Sequence, residues 1–186
     1  MNTQTDKRGM RAIFCVFLTA LISAEARAEV VKSSENGFII EHNIIVSQST
    51  TRVFPEMTGR LGAWWNPDHS FSGNSTALRV DAECFCERWG ANLVHHLDTT
   101  IWIENEKVVM QGGLGPLKEL GLSGSMTWSL APSGDAGTVV AWKYHVFGYS
   151  EADLPGLAVA VDGVLKEQIN RLAGHLGNTG DNATSK

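Results

Sequence analysis

Hydrophobic and polar positions alternate with a period of two along two segments in the second half of the chain, residues 122–130 and 138–147. Such alternation is typical of antiparallel strands that bury one face and leave the other in water. The positions expected on the buried face are Gly124, Met126, Trp128, Leu130, Val140, Trp142, Tyr144 and Val146.

Five earlier segments, rich in β-branched and aromatic residues, also predict strands. They are 38–47, 77–83, 84–89, 93–103 and 107–111. Residues 104–106 (Glu-Asn-Glu) predict a hairpin turn, and the glycine-rich segment 112–116 predicts a loop. Because no Lys-Ser/Thr pair follows its glycines, this loop is not a phosphate loop. We expect it to form a lid or turn at the opening of a cavity.

Between the first and second of these strands, the apolar spacing of residues 50–65 predicts a short helix. Gly59 and Gly62 divide it, so we expect two short pieces that end at the adjacent tryptophans, Trp64 and Trp65.

From about residue 151 to residue 176 the period changes to that of a helix. Its apolar stripe comprises Leu157, Val161, Val164, Leu165, Gln168, Ile169, Leu172 and Leu176. A single long helix can bury such a stripe only by lying across the apolar face of the sheet. The sequence therefore predicts an α+β helix-grip fold. In this fold a curved antiparallel sheet of about seven strands wraps around a long C-terminal helix, and two short helices follow the first strand.

Residues 1–28 have the pattern of a secretory signal peptide. Basic residues precede an apolar run, and Ala26-Arg27-Ala28 supplies a small-x-small cleavage site. The run has about 13 residues, fewer than the roughly 20 that span a bilayer, which disfavours the alternative of an uncleaved membrane anchor. The predicted organisation is a signal peptide at 1–28, one domain at 29–177 and a disordered tail at 178–186. We expect a periplasmic or secreted protein.

The charge of the exported part argues against polyanionic partners. Residues 1–28 hold four basic and two acidic residues, so 11 Lys+Arg and 18 Asp+Glu are left, a net charge of −7. A domain this acidic has no basic stripe for phosphates, and we expect no nucleic acid partner. Binding to an anionic membrane surface is likewise disfavoured, and no stable membrane insertion is expected after signal cleavage.

Cys84 and Cys86 are the two cysteines of the exported part. In a regular strand both would lie on one face, with Cα atoms about 6.6 Å apart, near the limit of disulfide geometry. We therefore expect free, buried thiols, with a disulfide as the alternative.

Several segments have a characteristic order and spacing. They are Trp64-Trp65-Asn66-Pro67-Asp68-His69-Ser70-Phe71-Ser72-Gly73, Cys84-Phe85-Cys86-Glu87, Gly112-Gly113-Leu114-Gly115-Pro116-Leu117, Tyr144-His145-Val146-Phe147-Gly148-Tyr149 and Val161-Asp162-Gly163-Val164-Leu165-Lys166-Glu167-Gln168. In this order they resemble the SRPBCC superfamily (START-like, birch-pollen-allergen-like) over roughly residues 38–176. The similarity is to the branch of polyketide cyclases and heat-shock ATPase activator homologues, in an exported bacterial subgroup. The resemblance implies an apolar ligand cavity. It does not imply a shared reaction.

The tryptophan pair and its turn predict an aromatic rim for that cavity. Of the two rings, Trp65 is expected to be the more ligand-facing. The candidate ligand-binding residues are Trp64, Trp65, His69, Cys84, Cys86, Met126, Trp128, Trp142 and Tyr144. For the residues on the late strands, ordinary core packing is the favoured alternative. Tyr144 differs from them because a buried hydroxyl needs a hydrogen-bond partner, which a ligand could supply.

The candidates for catalysis are His96, Asp98 and Tyr144. His96 and Asp98 stand two apart on one strand and could form an acid–base pair. The opposite face of that strand is the more apolar, so we expect His96 and Asp98 to face water instead; it comprises Leu93, His95, Leu97, Thr99 and Ile101.

We expect no metal and no other cofactor. Cys84 and Cys86 do not have the spacing of a zinc knuckle, and His95 and His96 should point to opposite faces of their strand.

Three functions follow from these features. The leading hypothesis is an exported binding protein that holds a small hydrophobic or aromatic ligand between sheet and C-terminal helix. The alternative is an enzyme of the cyclase, dehydratase or hydrolase type that uses polar cavity residues. A co-chaperone-like ATPase activator is the third, and the signal segment argues against it because ATP is not expected outside the cytoplasm.

Overall fold

A computed structural model describes residues 27–183, with side chains described for residues 30–177. Eight strands form one antiparallel sheet in the order β1-β2-β8-β7-β6-β5-β4-β3. The strands are β1 (Arg27–Ser34), β2 (Gly37–Val46), β3 (Leu78–Val80), β4 (Cys84–Trp89), β5 (Asn92–Ile103), β6 (Lys107–Gln111), β7 (Ser123–Ser133) and β8 (Gly137–Phe147). The helices are α1 (Thr50–Gly59), α2 (Leu61–Trp64) and α3 (Leu154–Ala183).

The helix-grip fold predicted from the sequence is confirmed. All eight positions expected on the inner face of β7 and β8 are buried. Of the predicted stripe of α3, Leu165, Gln168, Ile169, Leu172 and Leu176 are buried too. The core is the layer between the sheet and α3, closed at one end by α1 and α2.

The sheet has one strand more than expected, because β1 pairs with β2 at its edge. The backbone of Arg27 and Ala28, the last two residues of the predicted signal peptide, belongs to this strand. The rest of that segment lies outside the described residues, as do the side chains of the predicted tail at 178–186. No helix in the described part of the chain is long and apolar enough to cross a membrane.

A β-bulge in β5 changes which residues face the core. Phe85 pairs with Leu97 and Cys86 pairs with His95, so His96 is an extra residue without an opposite partner. At a bulge consecutive residues can point to the same side, and both His96 and Leu97 are buried.

This bulge and a second register shift, between Thr99 and Ile101, make three expectations for β5 wrong. His96 does not face water, and it does not share a face with Asp98, which is exposed. The face expected to be the more apolar is largely solvent-facing, since His95, Leu93 and Ile101 are exposed.

The expectation of free thiols is also wrong, because Cys84 and Cys86 form a disulfide. The same bulge lies opposite these two residues, and their Cα atoms are 5.5 Å apart rather than two full strand rises. That separation lies within the usual range for a disulfide. Both cysteines are buried.

Candidate functional site

A cavity of about 430 Å³ lies between α3 and the inner face of β3, β4 and β5. Two loops, at residues 65–73 and 112–117, bound its opening. Its apolar lining comprises Trp65, Phe71, Leu78, Phe85, Leu114, Pro116, Leu117, Leu157, Ala160, Val161, Val164 and Leu165. Its remaining lining residues are Asp68, His69, Ser70, His96 and Gly115. The volume is within the range of small-molecule sites, and so is the combination of apolar walls with few polar groups.

The first loop starts with the predicted aromatic edge. Asn66 caps a 3₁₀ turn at Pro67–His69 by accepting a hydrogen bond from the backbone N–H of Asp68. The backbone N–H of Asn66 donates to Gln168 Oε1 over 2.8 Å, and its side-chain amide donates to Glu167 Oε1 over 2.6 Å. These bonds fix the loop to the middle of α3.

Glu167 also binds the far end of that turn, through its Oε2 atom, 3.1 Å from His69 Nε2. Partial burial alone would raise the pKa of Glu167. The hydrogen bonds from Asn66 and His69 outweigh this effect and keep the pKa of Glu167 below its ordinary value. The ionised carboxylate is therefore the form that joins the loop to α3.

The two tryptophans have different surroundings. Trp65 lines the cavity, packs edge-on against Phe85 at 5.3 Å and donates from Nε1 to the carbonyl of His69. Trp64 lies outside the lining and packs against Trp128 and Trp142 in the core. This placement agrees with the choice of Trp65 as the ring nearer a ligand, and contact with a ligand stays a prediction.

Glu87 holds the second half of the first loop from inside the sheet. Its carboxylate accepts backbone hydrogen bonds from Phe71 over 3.0 Å and from Ser72 over 2.5 Å, and the side chain is fully buried. Burial alone would raise the pKa of Glu87. The hydrogen bonds from Ser72 and Phe71, together with His96, outweigh this effect and lower the pKa. Glu87 is thus a buried, ionised carboxylate.

His96 lies between that carboxylate and the second loop. Its Nδ1 accepts a hydrogen bond from the backbone N–H of Gly115 over 3.2 Å, and its Nε2 is 3.5 Å from Glu87 Oε2. Burial lowers the pKa of His96 more than Glu87 raises it. The imidazole is therefore neutral near pH 7, and the bond at Nδ1 assigns its proton to Nε2. Among the described residues this buried Nε2 has no hydrogen-bond partner.

Tyr144 holds the second loop. Its hydroxyl accepts a hydrogen bond from the backbone N–H of Leu114 over 2.9 Å and donates to the carbonyl of Gly112 over 3.0 Å. Burial raises the pKa of Tyr144 to about 12. Because Leu114 and Gly112 are the partners of this hydroxyl, it does not need one from a ligand, and Tyr144 does not line the cavity.

The structure brings three of the predicted candidates to the cavity: Trp65, His69 and His96. Met126, Trp128 and Trp142 are in the core, as the core-packing alternative expected, and they do not line the cavity. Cys84 and Cys86 lie on the face of the sheet opposite to the cavity, the face that also carries His95 and Asp98. Asp98 is exposed there, so the proposed pair of His96 and Asp98 does not form.

Glu87, which holds the first loop and contacts His96, is the residue of this region that the sequence did not single out. It stands two positions after the apolar Phe85, a spacing that puts both on the same face of a strand. This spacing was the feature of the sequence that could have indicated burial of Glu87. It was not decisive, because glutamate side chains normally face water.

Comparison with known proteins supports the fold. No protein-family model matches the sequence, and no curated protein matches it either. A solved structure from Rhodobacter sphaeroides has a TM-score of 0.54 at 14% identity, covering 83% of this chain and 99% of its own. DynU16, from the dynemicin biosynthetic locus, has a TM-score of 0.52 at 11% identity, covering 78% of this chain and 48% of its own.

Norcoclaurine synthase from Thalictrum flavum, solved as a point mutant with a transition-state analogue, has a TM-score of 0.50 at 12% identity. The match covers 80% of this chain and 99% of that one. DynU16 and norcoclaurine synthase are SRPBCC-type helix-grip proteins. The fold of this chain is therefore the one that the sequence resemblance predicted. The exported subgroup stays a prediction.

Proposed function

We propose that this chain is an exported binding protein that holds a small, uncharged, apolar or aromatic molecule between the sheet and α3. The observation that carries the proposal is the cavity of about 430 Å³, walled by apolar side chains and bordered by two loops that buried polar groups hold in place. Preformed apolar pockets with few polar groups are the usual form of small-molecule sites.

The polar groups at the cavity narrow the chemistry of the ligand. The Nε2–H of His96 is buried and makes no hydrogen bond with the described residues, since Glu87 Oε2 lies 3.5 Å away, so it suits an oxygen acceptor on the ligand, such as a carbonyl or hydroxyl group. The carboxylate of Glu87 lies 3.5 Å from the same nitrogen and is ionised, which disfavours an anionic ligand group at this position. A neutral molecule that carries one oxygen acceptor meets both conditions.

The solved relatives support small-molecule binding by this fold. Norcoclaurine synthase was solved with a transition-state analogue, and DynU16 comes from a biosynthetic locus. These likenesses support a binding role for the fold. Because both proteins share little sequence with this chain, they do not identify its ligand.

Export is the second half of the proposal. The signal-like pattern at residues 1–28 and the disulfide between Cys84 and Cys86 both favour an oxidising compartment. Cleavage after Ala28 would leave β1 to start at Glu29. The intact mass of the protein recovered from a periplasmic extract tests this, since it should correspond to residues 29–186. Recovery of the protein from the cytoplasmic fraction alone, with the mass of the uncleaved chain, would contradict export.

Native mass spectrometry of gently purified protein tests the binding role. We expect a single adduct of small-molecule mass that is released when organic solvent unfolds the protein. A bare mass both after purification and after incubation with neutral aromatic carbonyl compounds would contradict the proposal.

The enzyme alternative is favoured by one observation, the contact of His96 with Glu87. A neutral histidine beside a buried carboxylate is a common general acid–base arrangement. Asp98 and Tyr144 no longer belong to it, for the reasons given above. Returning the released ligand to the protein separates the two functions. A binding protein leaves its mass unchanged, whereas an enzyme converts it, and His96→Gln should abolish that conversion while exposed Glu83→Gln should preserve it.

A further inference from the structure

A second cluster of chemically versatile side chains lies across β4 and β5, on the face turned away from the cavity. Cys84 is directly opposite Asp98, and Cys86 is directly opposite His95. Residues that are directly opposite in an antiparallel pair share a face. The sulfur atoms of both cysteines and a ring nitrogen of His95 all lie within 4.8 Å of one another.

The fourth member of this cluster orients the histidine. Asp98 Oδ1 is 2.9 Å from His95 Nε2. A carboxylate on one ring nitrogen of a histidine fixes the imidazole and leaves the other nitrogen to bind a metal, an arrangement that is common behind metal-bound histidines. The side chains of His95 and Asp98 are 43% and 67% exposed, so solvent reaches the cluster from their side.

The surrounding charges are compatible with a cation. Arg79 approaches Cys84 Sγ with its guanidinium at 3.7 Å. The same guanidinium pairs with Asp81 at 3.4 Å and with Glu83 at 3.7 Å. Together with Asp98, three carboxylates thus accompany two cationic groups, this guanidinium and the ammonium group of Lys118, which donates to the carbonyl of His95 over 2.6 Å.

The residue types match a thiophilic metal ion. Two thiolates and an imidazole are common ligands of tetrahedral Zn²⁺, with Zn–S near 2.3 Å and Zn–N near 2.0–2.1 Å. Those bond lengths require ligand atoms about 3.5–3.8 Å apart. The two sulfur atoms and the ring nitrogen already lie within 4.8 Å of one another, so side-chain rotation after the S–S bond is broken would reach that spacing.

We propose that reduction of the Cys84–Cys86 disulfide creates a soft-metal site whose ligands are Cys84, Cys86 and His95. A dithiol reductant breaks the S–S bond, leaves two protein thiols and is itself oxidised to a disulfide. Binding of the metal then displaces the two thiol protons to solvent. In the oxidised protein the sulfurs are bonded to each other, so the site exists only after reduction. Asp98 is a positioning residue that holds the imidazole.

Cobalt titration of the full chain tests this inference, because tetrahedral Co²⁺ with thiolate ligands has characteristic visible and near-ultraviolet absorption. We expect one Co²⁺ per chain in the reduced protein, none of these bands in the oxidised protein, and displacement of Co²⁺ by Zn²⁺. Near-ultraviolet circular dichroism of the reduced protein should retain the tryptophan signal of the folded state.

Matched variants locate the ligands. Cys84→Ser should abolish the thiolate bands, His95→Ala should weaken binding at least tenfold, and Asp98→Asn should weaken it by roughly 10-fold. The control is His145→Ala, which removes another exposed histidine on the distant strand β8 and should change nothing. Binding that is equal in the oxidised protein, equal in His95→Ala, or absent from the folded reduced protein would overturn the inference. Unfolding upon reduction would overturn it as well.

Discussion

Glu87 Oε2 lies 3.5 Å from His96 Nε2, and both side chains are buried under the loops that close the cavity. Each residue also accepts a backbone hydrogen bond from a different loop, Glu87 from Phe71 and Ser72, and His96 from Gly115. One buried pair therefore connects the two sides of the cavity opening. Substitution of Glu87 or His96 should therefore change both the positions of the two loops and the polar groups available at the cavity.

Glu87→Ala should destabilise the protein by about 2–4 kcal/mol, because two backbone N–H groups would lose their acceptor in a buried position. Urea unfolding followed by tryptophan fluorescence measures the change. Glu83→Ala is the control, since this side chain is 84% exposed and its loss should alter the free energy of unfolding by no more than about 0.5 kcal/mol. Equal effects of the two substitutions would contradict the role given to Glu87.

Tyr144→Phe should loosen the second loop. The phenylalanine ring fills the same space, but the N–H of Leu114 and the carbonyl of Gly112 lose their partner. We expect a loss of about 1–3 kcal/mol in the free energy of unfolding and faster hydrogen exchange at Leu114. Tyr149, the only other tyrosine, is 93% exposed, so Tyr149→Phe is a matched control with no expected effect. Unchanged exchange at Leu114 in Tyr144→Phe would show that the hydroxyl does not hold the loop.

Stability should fall as the pH falls below about 6.5, the ordinary pKa of histidine. Burial lowers the pKa of both His42 and His96, although Asp162 and Glu87 act in the opposite direction. Between pH 6.5 and those lowered values the unfolded chain binds protons that the folded protein does not, so folding becomes less favourable. At lower pH Glu87 adds to the loss, because its pKa is also lowered and its stabilising carboxylate must be protonated.

Urea unfolding at pH 7.5 and pH 5.5 measures this dependence. The double variant His42→Gln with His96→Gln should have a smaller decrease between the two pH values than the wild type, whatever its stability at pH 7.5. His145→Gln, which alters an exposed histidine, should keep the wild-type decrease. A double variant with the full decrease would assign the pH dependence to other groups.

The disulfide should contribute little to stability, because it closes a loop of only three residues. The chain-entropy relation gives about 1.6 kcal/mol for such a loop at 25 °C. Unfolding curves recorded with and without a reductant should differ by about this amount, and the reduced protein should stay folded at room temperature. A loss several times larger would show that the bridge holds the packing of β4 and β5 together.

The fold could be predicted because two simple periods dominate the chain. The alternation that places Trp142 and Tyr144 on one face survives in β8, and the helical stripe through Leu165 and Leu172 lies on the sheet. Asn105, which has a left-handed backbone with φ of 62°, supplies the expected hairpin turn between β5 and β6.

The site was less accessible to such reasoning because it depends on departures from period two. The bulge that turns His96 inward also lies opposite the two cysteines, and a strand pattern gives no indication of one inserted residue. Glu87 was missed for a related reason. Its burial depends on two backbone N–H groups of a loop 15 residues earlier, a long-range contact that local sequence does not encode.

Binding of a neutral apolar probe to cavity-filling variants tests the central claim most directly. N-phenyl-1-naphthylamine gains fluorescence in apolar sites, and its fluorescence can be titrated against wild type, Val161→Trp and Val159→Trp. Val161 lines the cavity, whereas Val159, two positions away on α3, is 67% exposed and outside the lining. We predict saturable binding to wild type and Val159→Trp, with at least a tenfold loss for Val161→Trp. Equal binding by all three proteins, or no binding by any, would contradict a ligand cavity between the sheet and α3.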